Sequence, residues 1–255
     1  MNLLFIIIFF IIGTIFGSFY NVVGYRIPKG ESILYPSSHC TKCNHELKFY
    51  ELIPILSFIF LGAKCKKCKT KISFFYPIFE LLTGIGFVMS YLVFGLSLEC
   101  IYSLVFVSML IIIIISDYQT MIIPDEILIF FSLLLMFIKF FMVGIEGVGV
   151  STLHAFASFI FMLLIKILGD FIFKKESMGG GDIKLMAVFG LVLGFSLSVI
   201  SIFLAAIIGL PVSLIILKAK KGHEIPFGPF LSIAALIIFF AQININDIVN
   251  FLNWI

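Results

Sequence analysis

Four of the five cysteines fall in two pairs, Cys40-Thr41-Lys42-Cys43 and Cys65-Lys66-Lys67-Cys68, separated by 21 residues. A CxxC turn aims two thiolates at one point, and two such turns close the tetrahedral sulfur site that Zn²⁺ adopts in structural roles. His39 and His45 flank the first pair and are alternative ligands. Two disulfides or a redox pair would use the same residues, but a reducing compartment disfavours persistent disulfides. Four thiolates leave no open coordination position, so such a metal holds shape and does no chemistry. Lys64, Lys66, Lys67 and Lys69 offset the charge of a tetrathiolate centre, and Cys100 is expected to stand alone at a helix end.

Acidic residues mark a second chemistry. An ionisable group inside an apolar span costs about 2.5–3.5 kcal/mol on insertion scales, so each one needs a reason to be there. Asp117 ends an isoleucine run, at a helix C-terminus where the dipole disfavours a negative charge. Asp182 follows Gly179, Gly180 and Gly181 and precedes Lys184; taken alone, it is also a natural helix N-cap. Two carboxylates sharing a site cannot both ionise easily, so one keeps a proton while the other stays charged. Such a pair activates water: the charged member takes a proton from water, and the protonated member polarises a peptide carbonyl and serves the leaving amine. Three consecutive glycines would admit an extended substrate close to the backbone. Asp125 follows Pro124, where ordinary helix-start chemistry accounts for an acid, and is a weaker catalytic candidate with Lys184 as possible support. Glu80 lies within an apolar run and must be paired or functional, while Asp170, four residues after Lys166, is expected to pair with it.

These residues must be positioned by membrane helices. The 255 residues are 62% hydrophobic and 12% charged, with mean hydropathy +1.22, against about 25% charged in soluble domains. Soluble globular, disordered and nucleic-acid-binding classes are thereby excluded, since a net charge of +3 makes no phosphate-binding stripe. Apolar runs at 2–22, 76–96, 101–116, 124–143, 152–173, 185–199, 201–217 and 228–245 predict an all-α polytopic membrane protein of about eight transmembrane helices in the lipid bilayer. The first run lacks a basic leader and a cleavage site, and reads as a retained helix. The segment 185–217, with Gly190, Gly194 and Gly209 inside it, reads as two short tilted spans or as one span plus a re-entrant piece. Eight spans keep Lys218, Lys220 and Lys221 with the other basic loops, and the loops near 97–100 and 144–151 carry no Lys or Arg. Fifteen of the seventeen Lys and Arg then share one face, which the positive-inside rule makes cytoplasmic. The expected organisation is a first helix over 1–23, a cytoplasmic tetracysteine loop domain over 24–75 and a seven-helix membrane domain over 76–255, without an internal repeat. The loop is too small to hold a sizeable core, which a metal staple would remedy.

In order and spacing the chain resembles the type IV prepilin peptidases, membrane aspartic proteases of the GxGD type. The blocks are Gly17-Ser18-Phe19-Tyr20-Asn21-Val22-Val23 with Arg26-Ile27-Pro28, the CxxC turns enclosing Glu51-Leu52-Ile53-Pro54, Tyr76-Pro77 with Glu80-Leu81-Leu82, Asp117 through Pro124-Asp125, Gly179 to Lys184, and Ile225-Pro226-Phe227-Gly228-Pro229. The resemblance implies a multi-pass bacterial inner-membrane enzyme that cuts prepilin or pseudopilin leaders at a Gly–Phe-like junction on the cytoplasmic face. Asp117 and Asp182 would be its catalytic pair. It also implies, through the tetracysteine loop, N-methylation of the new terminus with S-adenosylmethionine. The family's first turn reads Cys-Pro-x-Cys; Thr41 replaces that proline and leaves ligation intact. No glycine fingerprint of an α/β methyltransferase is present, so the methyl donor is expected between the loop and the helices, with Glu80, Glu51 and Glu46 as candidate contacts. A transporter would place its acids near mid-membrane and show repeat symmetry; a zinc-loop scaffold would leave Asp117 and Asp182 without a role.

Overall fold

The computed structural model of the chain describes residues 2–219 and 225–243; Lys220, Lys221 and the end of the last apolar run lie outside them. The described residues are mostly helical, with two isolated bridges and no strand. Contacts divide the chain into two compact units, 1–120 and 121–255.

The first unit holds α1 (Leu3–Arg26), the short α2 (Leu56–Phe60), α3 (Phe75–Phe94) and α4 (Leu98–Thr120). In α4 the side chains of Phe106, Val107, Met109, Leu110, Ile113 and Ile115 are fully buried, so the isoleucine run is the core on which α1 and α3 pack. Small residues let α1 and α3 approach closely: a Cβ on Gly13 would lie 2.7 Å from the Cα of Gly84, and one on Gly17 2.8 Å from the Cα of Glu80. Hydroxyl bonds tie the helices where lipid offers no partner: Tyr20 donates to Ser108 Oγ (2.6 Å) and Ser103 to Ser90 Oγ (2.7 Å). Cys100 is free and buried in the first turn of α4, as expected.

The second unit holds α5 (Asp125–Phe173), α6 (Gly180–Leu193), α7 (Phe195–Ala219) and α8 (Gly228–Phe240). The loop expected at 144–151 is a single residue: Gly144, at φ 71° and ψ −174°, interrupts α5, and helix resumes at once. That conformation belongs almost to glycine alone. The boundary expected near residue 200 moves to Gly194 (φ 84°), which separates α6 from α7. The first break falls where an apolar run ends at 143, but the second has apolar Leu193 and Phe195 on either side, so hydropathy does not place it.

Among the described residues, five helices are long and apolar enough to cross a bilayer. With α5 taken as two segments about Gly144, the described residues contain eight apolar helical segments of more than ten residues. At about 1.5 Å per residue, the 14 residues of α6 extend about 21 Å, short of a hydrocarbon core of about 30 Å. The carbonyl of Leu191, in the last turn of α6, accepts a 2.6 Å bond from Lys139 Nζ on α5, which suits the negative end of the helix dipole. Lys139→Met should destabilise the protein by about 1–3 kcal/mol, the cost of leaving a buried acceptor unmet. Thermal unfolding in detergent measures it.

Candidate functional site

The loop between α1 and α3 is built on two knuckles of the same pattern. Cys40 N–H donates to the carbonyl of His45 (2.9 Å) and Asn44 N–H to that of Cys40 (2.9 Å); 25 residues on, Cys65 N–H donates to Thr70 (2.8 Å) and Lys69 N–H to Cys65 (3.0 Å). Asn44 and Lys69 each take positive φ, and the bridges His39–Glu46 and Lys64–Lys71 close the two knuckles. The loop therefore contains a repeat that the sequence reading did not anticipate.

All four sulfurs lie within 4.8 Å of one another. Cys40 and Cys68 Sγ are 3.7 Å apart and Cys43 and Cys65 Sγ 3.9 Å. Disulfide sulfurs would be about 2.05 Å apart, whereas tetrahedral ligands at about 2.3 Å from Zn²⁺ stand about 3.8 Å from one another. The donor set fits zinc and leaves the disulfide reading behind. Backbone N–H groups of Lys42 and Cys43 hold the Cys40 thiol below its ordinary range, and the Thr70 hydroxyl and N–H bring Cys68 down to about 6. Cys43 accepts from the His45 N–H, yet burial and the neighbouring sulfurs push it up to about 11. Four thiolates cannot accumulate here without a cation between them.

Neither histidine joins the sulfurs. His39 Nδ1 contacts the carbonyl of Ser37 (2.8 Å), and His45 Nε2 lies 3.3 Å from Glu51 Oε2. Glu51 is buried; the Lys48 N–H at 2.9 Å and His45 hold its carboxyl below the usual range. Its Oε1 has no hydrogen-bond partner among the described residues. Glu46 accepts from the Ser37 hydroxyl (2.7 Å) on the exposed surface.

Glu80, on α3, faces the loop. Its Oε2 accepts a 2.7 Å bond from Ile55 N–H, and the Ser18 hydroxyl of α1 also bonds it. Ile55 sits at φ 60° and ψ −52°, and Leu56 N–H reaches back to Pro54 O (2.5 Å). This is a γ-turn of the rare, strained hand on a β-branched residue. Asn21 of α1 lies alongside: its Nδ2 donates to Gly17 O and Tyr76 O, both at 3.2 Å. Sequence reasoning does not single out Asn21 for a role. The signal was available, since a carboxamide within an apolar span also needs a reason to be there.

Asp117 lies in the last turn of α4 with 6% of its surface exposed. Asp182 is 8% exposed at the third position of α6, where the helix dipole favours an acid. Gly179 is the N-cap residue, so Asp182 is not the cap, and Gly180 and Gly181 are already helical instead of forming an open strip. A Cβ on Gly181 would meet Ile123 at 2.8 Å, so its small size serves packing of α6. Both oxygens of Asp125 accept from Lys184 Nζ at 2.7 Å, an ion pair about half exposed. Surface pairs contribute about 0.2–1 kcal/mol. Lys184→Met should therefore shift stability by no more than that and reduce any catalysis by Asp182 less than tenfold, as a melt and a rate assay will show. Lys166 and Asp170 pair at 3.9 Å, as expected.

Long apolar helices, a tetracysteine centre and buried helix-end aspartates define a multi-pass membrane protein of a recognisable class. Residues 11–94 match the Bacterial Peptidase A24 N-terminal domain and residues 104–214 the Type IV leader peptidase family. The chain belongs to the prepilin leader peptidase/N-methyltransferase family. It is 38% identical over 235 residues to the enzyme of that name from Bacillus subtilis (strain 168), covering 91% of this chain and 92% of the relative. Identity to the Neisseria gonorrhoeae namesake is 31% over 267 residues, covering 94% and 92%. No solved structure matches the chain significantly.

Proposed function

We propose that this enzyme cleaves the leader of type IV prepilins or pseudopilins at a Gly–Phe-like junction and methylates the new N-terminal amine. The observation that carries this reading is the burial of Asp117 and Asp182, each more than nine-tenths covered at a helix terminus of a family member. In this reading the two work as one catalytic pair. The ionised carboxylate takes a proton from water, which attacks the scissile carbonyl carbon. The protonated partner bonds the carbonyl oxygen, and the proton gained from water passes to the departing amine as the C–N bond breaks. Asp125, Lys184 and Gly179 to Gly181 set the start of α6 around this chemistry.

The lysine-rich loop 24–75 lies on the cytoplasmic face of the inner membrane, an eight-span chain placing its basic loops on that side. Zinc held by Cys40, Cys43, Cys65 and Cys68 supplies structural cross-linking, and the peptidase portion is 76–255. S-adenosylmethionine, which supplies an electrophilic methyl group when bound, is held between loop and helices. The unpartnered, buried Glu51 Oε1 offers an acceptor for its amino group, and Glu80 serves the methyl acceptor; Glu46 acts only as a surface charge. Incubation of purified enzyme with a synthetic prepilin N-terminal peptide, with and without S-adenosylmethionine, tests both activities by mass spectrometry. Loss of the leader mass in both samples and a gain of one methyl group only with the donor are expected. An intact peptide overturns the peptidase reading.

A further inference from the structure

The polar cluster between α1, α3 and the loop has more acceptor capacity than the protein uses. The two carbonyls facing Nδ2 of Asn21 fix the orientation of its amide, and Oδ1 is left buried with no partner among the described residues. Asn21 is 4% exposed and Glu80 8%. A carboxylate offers about four acceptor sites, of which Ile55 N–H and the Ser18 hydroxyl occupy two. The two side chains belong to one locality: Gly17, one turn from Asn21, packs on the Cα of Glu80, and Tyr76, one turn before Glu80, accepts from Asn21. With Glu80 ionised, their surplus consists of acceptors only, one of them carrying the negative charge. The ligand that matches it is a cationic nitrogen with several N–H bonds to give.

We propose that Asn21 Oδ1 and the Glu80 carboxylate form a subsite for the primary ammonium group at the N-terminus of the cleaved substrate. This rests on the methyltransferase reading above and adds Asn21 as a substrate-binding residue. The ammonium donates to Asn21 Oδ1 and to Glu80. Glu80 takes one proton, and the freed lone pair on nitrogen forms the N–C bond as the C–S bond of the sulfonium donor breaks, its electron pair remaining on sulfur. The product leaves as a methylammonium. The strained turn at Ile55 aims its N–H at Glu80, so the zinc loop holds the carboxylate in place and closes the subsite on the loop side.

The test compares binding of a pre-cleaved peptide with a free N-terminus and the same peptide N-acetylated, by fluorescence anisotropy on the full enzyme in nanodiscs without methyl donor. The wild type should prefer the free amine at least tenfold, and Glu80→Gln and Asn21→Leu should each reduce that preference to within twofold of unity. Equal binding of the two peptides by the wild type overturns the subsite, and this arm requires no variant to fold. Retained preference in Glu80→Gln, which keeps an acceptor for Ile55 N–H, also overturns it. Affinity for S-adenosylmethionine, titrated on the same proteins, should change less than threefold; a tenfold loss there with the peptide preference intact would assign the acceptors to the methyl donor instead. A wild type that makes no methylated peptide sinks the methyltransferase reading, and the amine preference still decides the subsite.

Discussion

Asp117→Asn should stop leader cleavage, and Asp182→Asn should do the same. Each substitution preserves size and most hydrogen bonding while removing the ability to exchange a proton at the reacting atoms. Positioned acid–base groups contribute about 10²–10⁴ in rate, so a fall of at least 10³ in the turnover of a prepilin peptide is expected from either. The double variant should be no slower than the worse single one within a few-fold, because groups acting as one unit are strongly non-additive. Methylation of a pre-cleaved peptide should persist in all three, which also reports that they fold. Cleavage at near-normal rates by either single variant would sink the pair. Equal singles with a far slower double would show that the two aspartates act in separate steps.

The chemistry-bearing residues were legible because they contradict their surroundings. Four cysteines at CxxC spacing have few uses, and an acid at the end of an isoleucine run demands explanation on energetic grounds. Element boundaries were less legible. The break at Gly144 falls where the apolar run ends, but it is one residue long because a glycine conformation suffices, and at Gly194 the apolar neighbours give hydropathy no contrast. The knuckle repeat was hidden because only the cysteines and one lysine (Lys42, Lys67) recur between its halves, while the shared feature is a positive φ at Asn44 and Lys69 and a matching bond pattern. Asn21 escaped because the cost argument was applied to charges alone. A buried amide with an unmet oxygen follows the same logic at smaller magnitude. Asp125 shows the converse: an acid next to a motif pairs with Lys184 at the surface, as helix-start chemistry allows.

Replacing Cys40 and Cys43 together by Ser should remove the metal completely, from about one zinc per chain to none by elemental analysis. Apparent binding free energies of structural zinc in small peptides are about 10–16 kcal/mol, and that binding supplies the folding energy of the domain. The loop has little to replace it. Phe49, Phe60 and Phe74 remain largely exposed, and its regular structure is limited to short turns and α2. Protease sensitivity of residues 30–72 should therefore rise by at least tenfold in the variant, or in wild type treated with a strong chelator. The consequences for the two activities should diverge. Ile55 N–H reaches Glu80 only while the loop keeps its shape, so methylation should be lost with the metal. Asp117 is held by α4 packing on α1 and α3, and Asp182 by α6 packing on α5, so cleavage should fall less than tenfold. Unchanged metal content in the double variant would rule out the tetrathiolate centre. Normal methylation by a metal-free protein would show that the loop positions nothing at Glu80.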